Sequence, residues 1–144
     1  MKTLLLLAVI VAFGLLQAHG NLLQLKEMIK LTTGKEVLSS YAFYGCYCGL
    51  SGIGTPLDGT DRCCAEHDCC YHRQTEQGCG SKFLSYQFSH KGNKITCANE
   101  DKCRNQLCEC DKNLAYCLAR NKESYNDEYE FYPKIKCIGG KRPC

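Results

Sequence analysis

Fourteen cysteines lie beyond residue 20 and none before it, so this chain must adopt a fold that cross-links can staple. Lys2 followed by the apolar runs Leu4 to Ala12 and Leu15-Leu16, and then the small residues Ala18-His19-Gly20, has the layout of a secretory signal with cleavage before Asn21. The run is shorter than the ~20 apolar residues a membrane span needs. Residues 21–144 then form one domain exported to an oxidising compartment. Fourteen half-cystines permit seven bridges in on the order of 10⁵ pairings, so counting them does not choose the connectivity. A zinc site is the competing use of clustered cysteine, but Cys63-Cys64 and Cys69-Cys70 are adjacent pairs and lack the C-x₂-C spacing of zinc ribbons.

Those two pairs bracket the densest chemistry in the chain, Asp61-Arg62-Cys63-Cys64-Ala65-Glu66-His67-Asp68-Cys69-Cys70-Tyr71. On a helix, positions 63, 67 and 70 share one face, so bridged cysteines would immobilise His67 between them. An imidazole held this way suits catalysis better than solvation, and Asp68 beside it is a hard carboxylate. Residues 44 to 60 carry Gly45, Gly49, Gly52, Gly54 and Gly59 and read as a loop. Such a loop is either a turn-rich connector or a set of backbone carbonyls that, with Asp68, suits Ca²⁺. The alternating acidic ligands of an EF-hand are absent.

Leu22, Leu25, Met28 and Ile29 recur near helical spacing, with Lys26, Glu27 and Lys30 between them, and predict a helix ending before Gly34. Its apolar face packs on the core, or Leu22 and Leu23 meet lipid or line a channel. Further helices are expected over Asp61 to about Arg73 and Asn99 to about Lys122, with a small hairpin between about Phe83 and Thr96 that turns at Gly92-Asn93. Cys63 and Cys70 have the same separation as Cys110 and Cys117, so the two long helices can be bridged either antiparallel (63–117, 70–110) or parallel (63–110, 70–117). In the antiparallel register His67 and Asp111 are offset by about 3 Å along the axis, within reach of a hydrogen bond.

The whole-chain charge of +3 falls to +2 once Lys2 leaves with the signal, and Glu123, Asp127, Glu128 and Glu130 offset the basic Lys134, Lys136, Lys141 and Arg142. This excludes a chain built to bind nucleic acid. No N-x-[ST] acceptor occurs.

Three segments taken together, Tyr44-Gly45-Cys46-Tyr47-Cys48-Gly49, the Asp61 to Tyr71 helix and Cys108-Glu109-Cys110-Asp111, resemble the secreted phospholipase A2 family, group II, nearest its group IIA branch. The likeness runs through residues 21–144, and the C-terminal extension ending at Cys144 is its group II mark. The resemblance implies a mainly α, disulfide-rich fold: an N-terminal helix, a calcium loop, two long antiparallel disulfide-linked helices and a small two-stranded β-wing. It implies bridges 46–137, 48–64, 63–117, 69–144, 70–110, 79–103 and 97–108.

It further implies calcium-dependent hydrolysis of the sn-2 ester of glycerophospholipids. His67 would be the general base for water and Asp111 its orienting carboxylate. One Ca²⁺ per subunit would be held by Asp68 and the carbonyls of Tyr47, Gly49 and Ser51, with the Gly49 amide stabilising the oxyanion. Tyr71 would brace this network, or else be an ordinary half-buried tyrosine. Gln24 and the new amine of Asn21 would form an N-terminal hydrogen-bond network, and Leu22, Leu25 and Ile29 the substrate channel.

The implied partner is a phospholipid membrane surface, engaged peripherally from outside the cell. With no Trp, affinity for zwitterionic bilayers is expected to be modest and anionic interfaces are preferred, although the charge of +2 is low beside the strongly cationic members of the family. A cell-surface receptor or proteoglycan is a further candidate. Ser51 departs from the family, which usually has glycine there. If that position needs φ > 0, serine costs on the order of 1 kcal/mol and weakens calcium binding. Ser51 alone favours the alternative of a weakly active or non-catalytic homologue on the same scaffold. A cystine-rich growth-factor-like signal would explain the disulfides but not the glycine loop or the His-Asp pair.

Overall fold

The computed structural model describes residue 3 and residues 21–49, 52–80 and 84–144. The expected cleavage site and leader lie outside them, apart from Thr3, and so do Ser51 and Phe83.

Helix α1 spans Leu22–Thr33 and stops at Gly34, whose φ of 75° lets its N–H return to the Lys30 carbonyl. A short helix α2 (Val37–Ser40) leads into the glycine loop. Helix α3 runs Gly59–Glu76, longer at both ends than the apolar spacing indicated. Asp58 starts it early by accepting the Asp61 N–H at 2.8 Å, an N-cap hidden in what read as loop. Helix α4 covers Lys102–Arg120 and begins three residues later than expected, because Asp101 caps the Arg104 N–H at 3.0 Å. Strands β1 (Phe88–Lys91) and β2 (Lys94–Cys97) pair antiparallel, with Phe88 opposite Cys97 and Lys91 opposite Lys94. Gly92, at φ 58°, opens the two-residue turn between them. Three 3₁₀ turns, Lys122–Ser124, Asp127–Tyr129 and Lys134–Lys136, carry the chain to its C-terminus.

All seven expected bridges form: 46–137, 48–64, 63–117, 69–144, 70–110, 79–103 and 97–108. No cysteine is left over, so the fold contains no thiolate for zinc. Bridges 63–117 and 70–110 settle the helix pair as antiparallel. The core lies where α1 packs on α4, around Met28, Ile29, Leu107, Ala115 and Leu118, each at most 2% exposed. Tyr44 and Tyr86 are buried at its two flanks. Among the described residues, no helix is long and apolar enough to cross a membrane.

Candidate active site

Bridges on either side of His67 fix the α3 backbone against α4, and one turn of each helix brings His67 and Asp111 together. His67 Nε2 lies 2.7 Å from Asp111 Oδ1, with the imidazole 13% exposed and the carboxylate fully buried. Neutral imidazole that donates from Nε2 to the carboxylate carries its lone pair on Nδ1. Asp111 also accepts the Tyr71 hydroxyl on Oδ1 at 2.7 Å and the Tyr86 hydroxyl on Oδ2 at 2.5 Å. Burial, reinforced by the adjacent Asp111 charge, pushes both phenols well above their ordinary range, so they remain proton donors to the carboxylate. The Tyr71 ring also lies over the imidazole at 4.5 Å. Tyr71 thus contacts both members of the pair.

Asp68 follows His67 on α3 and faces the glycine loop. Burial pushes its carboxyl up to about 6, against the opposing pull of His67, Lys141 and Lys134. A carboxylate made this uncomfortable by desolvation gains from a nearby cation.

The loop itself is organised from inside by Asp61, which is 0% exposed and accepts three backbone N–H groups. These come from Cys46 at 2.9 Å, Tyr47 at 2.7 Å and Leu57 at 2.9 Å. Gly45 must be glycine, since its φ is 60° and a Cβ there would meet the Asp61 carboxyl carbon at 2.5 Å. Gly49, at φ 111°, would drive a Cβ into the Ala42 carbonyl oxygen.

The fit of this loop to a hard cation rests on which carbonyls are already committed. The Tyr44 carbonyl accepts the Cys48 N–H at 3.2 Å. The Gly45 and Cys48 carbonyls accept from Lys134 Nζ at 2.6 and 3.3 Å. Among the described residues, no donor reaches the carbonyls of Tyr47 and Gly49. Two carbonyls without a donor among the described residues, together with the desolvated Asp68 carboxylate, are the hard oxygen donors calcium takes, and the residues fit that ion. No group of three His, Cys, Asp or Glu side chains among the described residues forms a metal cage.

The remaining expected residues fall as follows. Leu22 is 48% exposed and Ile29 is 2% exposed, while Leu25 is half-buried against the core, so the three step from surface to interior along α1. Asn21 is buried, and the Gln24 Oε1 is a buried acceptor with no hydrogen-bond partner among the described residues. Reasoning from sequence missed Tyr86, Asp61 and Lys134. Asp61 had a signal, since it lies three and four residues before Cys64 and Ala65 on the buried side of α3. Tyr86 and Lys134 had none, because an irregular segment before β1 delivers the first and a single 3₁₀ turn the second.

Residues 22–130 match the family described as Phospholipase A2. The chain is 62% identical over 144 residues to "Phospholipase A2, membrane associated" of Homo sapiens, with 100% of each chain covered. It is 57% identical over 145 residues to the protein of the same name from Cavia porcellus, again with 100% of each covered. Against "Phospholipase A2 group V" of Homo sapiens it is 48% identical over 137 residues, covering 95% of this chain and 99% of that one.

Proposed function

The chain belongs to the phospholipase A2 family, and we propose that His67 is the general base with which it hydrolyses the sn-2 ester of glycerophospholipids. Nδ1 takes a proton from water as the water oxygen bonds to the ester carbonyl carbon. The tetrahedral intermediate collapses with cleavage of the bond to the glycerol oxygen, and His67 returns the proton to that oxygen. The products are a free fatty acid and a lysophospholipid. Base catalysis of this kind contributes about 10²–10⁴-fold. Asp111 holds the imidazole in the required tautomer and stabilises the imidazolium, while Tyr71 and Tyr86 keep the carboxylate from rotating. The Gly49 N–H is the backbone donor for the oxyanion.

One calcium ion would be held by Asp68 and the carbonyls of Tyr47 and Gly49, with Ser51, outside the described residues, as the remaining expected ligand, and it would supply charge to polarise the ester and neutralise the phosphate. The 2.7 Å contact between His67 and a fully buried Asp111, one residue from the desolvated Asp68, carries this reading.

The substrate lies in a membrane surface. Leu22, Leu23, Phe43 and Phe131, exposed by 48, 60, 48 and 62%, supply apolar contact, and the small positive charge favours anionic lipid. Seven disulfides fit an extracellular enzyme whose residues 1–20 are removed on export. Cleavage before Asn21 creates an amine close in sequence to the Gln24 Oε1, which has no partner among the described residues, and this supports a role for that terminus in the mature enzyme.

The test is sn-2 fatty-acid release from phosphatidylglycerol vesicles by the chain starting at Asn21, across a calcium titration. Release that disappears with chelator and in His67→Gln supports the mechanism. Release that survives either treatment rejects it.

A further inference from the structure

Lys134 sits in the C-terminal extension, far in sequence from His67, Asp68, Asp111 and the glycine loop, yet its ammonium reaches into that loop. It does not do so from a loose tail. The 3₁₀ turn Lys134–Lys136 leads directly into Cys137, which is bridged to Cys46 inside the loop. Beyond that bridge the Gly54 N–H donates to the Gly140 carbonyl at 3.0 Å, and the Arg142 N–H donates to the Tyr47 hydroxyl at 3.2 Å. Tyr47 in turn donates to the Gly54 carbonyl at 2.6 Å. A Cβ on Gly54 would meet the Ile138 carbonyl oxygen at 2.8 Å, so the two backbones pack directly on each other. The extension finally closes on α3 through Cys69–Cys144, one residue after Asp68.

On this anchored base, Lys134 Nζ donates to the carbonyls of Gly45 and Cys48 at 2.6 and 3.3 Å. The second contact has a consequence through peptide geometry. In a planar trans peptide the C=O and the following N–H point in opposite directions. The Cys48 carbonyl and the Gly49 N–H belong to one such plane. Holding the carbonyl toward Lys134 therefore turns the Gly49 N–H away from it. By the same geometry, the Cys48 N–H on the Tyr44 carbonyl turns the Tyr47 carbonyl the other way.

We propose that Lys134 is a positioning residue for the hydrolysis, one that aims the Gly49 N–H at the developing oxyanion by holding the Cys48 carbonyl on the opposite side of their shared peptide plane. This rests on the reading of Gly49 as the oxyanion donor. Lys134 touches neither substrate nor the reacting atoms. Its positive charge is also felt at Asp61 and Asp68, so a purely electrostatic role predicts the opposite sign from a positioning role. A nearby cation repels calcium, and removing it would raise activity at low calcium.

The test compares Lys134→Met, Lys134→Arg and Lys136→Met in the disulfide-intact chain from Asn21. Lys136 is an exposed lysine in the same 3₁₀ turn, its ammonium lies over the Tyr132 ring, and among the described residues it makes no hydrogen bond to the loop. Measurements are kcat and KM at saturating calcium on phosphatidylglycerol vesicles, and the ¹H–¹⁵N cross-peak of the Gly49 amide in metal-free protein. A donor that acts only in the transition state affects kcat and leaves KM alone. The expected result for Lys134→Met is a fall in kcat of about tenfold, short of the about 10²–10³-fold cost of deleting such a donor outright. KM stays unchanged and the Gly49 cross-peak moves. Lys134→Arg, which keeps a donor in reach, restores most of kcat, and Lys136→Met behaves as wild type.

Wild-type kcat and an unmoved Gly49 peak in Lys134→Met, or an equal fall in Lys136→Met, would overturn the inference while leaving the catalytic reading intact. A wild-type chain with no calcium-dependent release would overturn both.

Discussion

Replacing Asp61 by asparagine removes one charge and almost no volume, and it tests whether the glycine loop is held from within. Three backbone N–H groups converge on this carboxylate, Tyr47 on Oδ1 and Cys46 and Leu57 on Oδ2, at 2.7 to 2.9 Å with no solvent access. Asparagine has one acceptor oxygen. Placed where Oδ2 was, it keeps Cys46 and Leu57 and turns an NH₂ toward the Tyr47 N–H. That orphaned buried donor costs about 1–3 kcal/mol, and the two surviving bonds lose their charge assistance at about 1 kcal/mol each. Relief of burying a charge offsets about 1 kcal/mol.

The net loss is about 3 kcal/mol, which for a domain of this size lowers Tm by about 12 °C. Near-ultraviolet circular dichroism of the tyrosines follows the transition, with bridges intact and chelator present. Calcium affinity should fall in the same variant, since Tyr47 and the Gly49 region lose their anchor. A Tm within about 4 °C of wild type would refute the claim that Asp61 organises the loop.

Asp68 should make the metal-free chain sensitive to pH. Its carboxyl is raised from 3.8 to about 6, so it is neutral in both folded and unfolded chains below pH 3.8 and imposes no penalty there. As pH rises from 3.8 to about 6 the unfolded chain ionises first, and stability falls by about 1.5 kcal/mol, half the unscreened linkage value because Asp68 is partly exposed. Asp68→Asn should lack this fall when the two proteins are melted across pH in chelator. Calcium binding to wild type, followed by titration calorimetry, should weaken below pH 6 as protons compete for the carboxylate.

Tyr86→Phe deprives Asp111 Oδ2 of its donor while leaving His67 and Tyr71 in place, and should cost about 1–3 kcal/mol in denaturant unfolding with kcat changed less than tenfold. Gly49→Ala drives a methyl into the Ala42 carbonyl at a φ of 111°, and should abolish calcium-dependent hydrolysis while all seven bridges still form by mass.

Much of the site was legible because it is local. His67, Asp68 and Tyr71 share one helix, and the helix follows from spacing and flanking cysteines. Asp111 was reachable because equal cysteine separations on two helices convert an unknown packing into two discrete registers. The glycine loop was legible because positive φ at a close approach leaves a compositional trace, as Gly45 and Gly49 illustrate.

By itself the sequence determined a bridged domain, the helices, and the residue types that hydrolysis needs, and it pointed to export. Cysteine spacing alone left the parallel and antiparallel registers open, because an i, i+7 spacing is symmetric under reversal until a bridge closes, and the tertiary structure bears out the antiparallel register that the family resemblance implied. Only the tertiary structure decided certain contacts made across long separations. Tyr86 reaches Asp111 from the segment before β1, Asp61 turns inward to gather three amides, and Lys134 crosses from the C-terminal extension to two loop carbonyls. Each pairs a common residue type with backbone or carboxylate groups that carry no mark of their own in the sequence. Such hydrogen bonds depend on where loops are delivered in space, and that is settled by the core and the seven bridges rather than by the residues that form them.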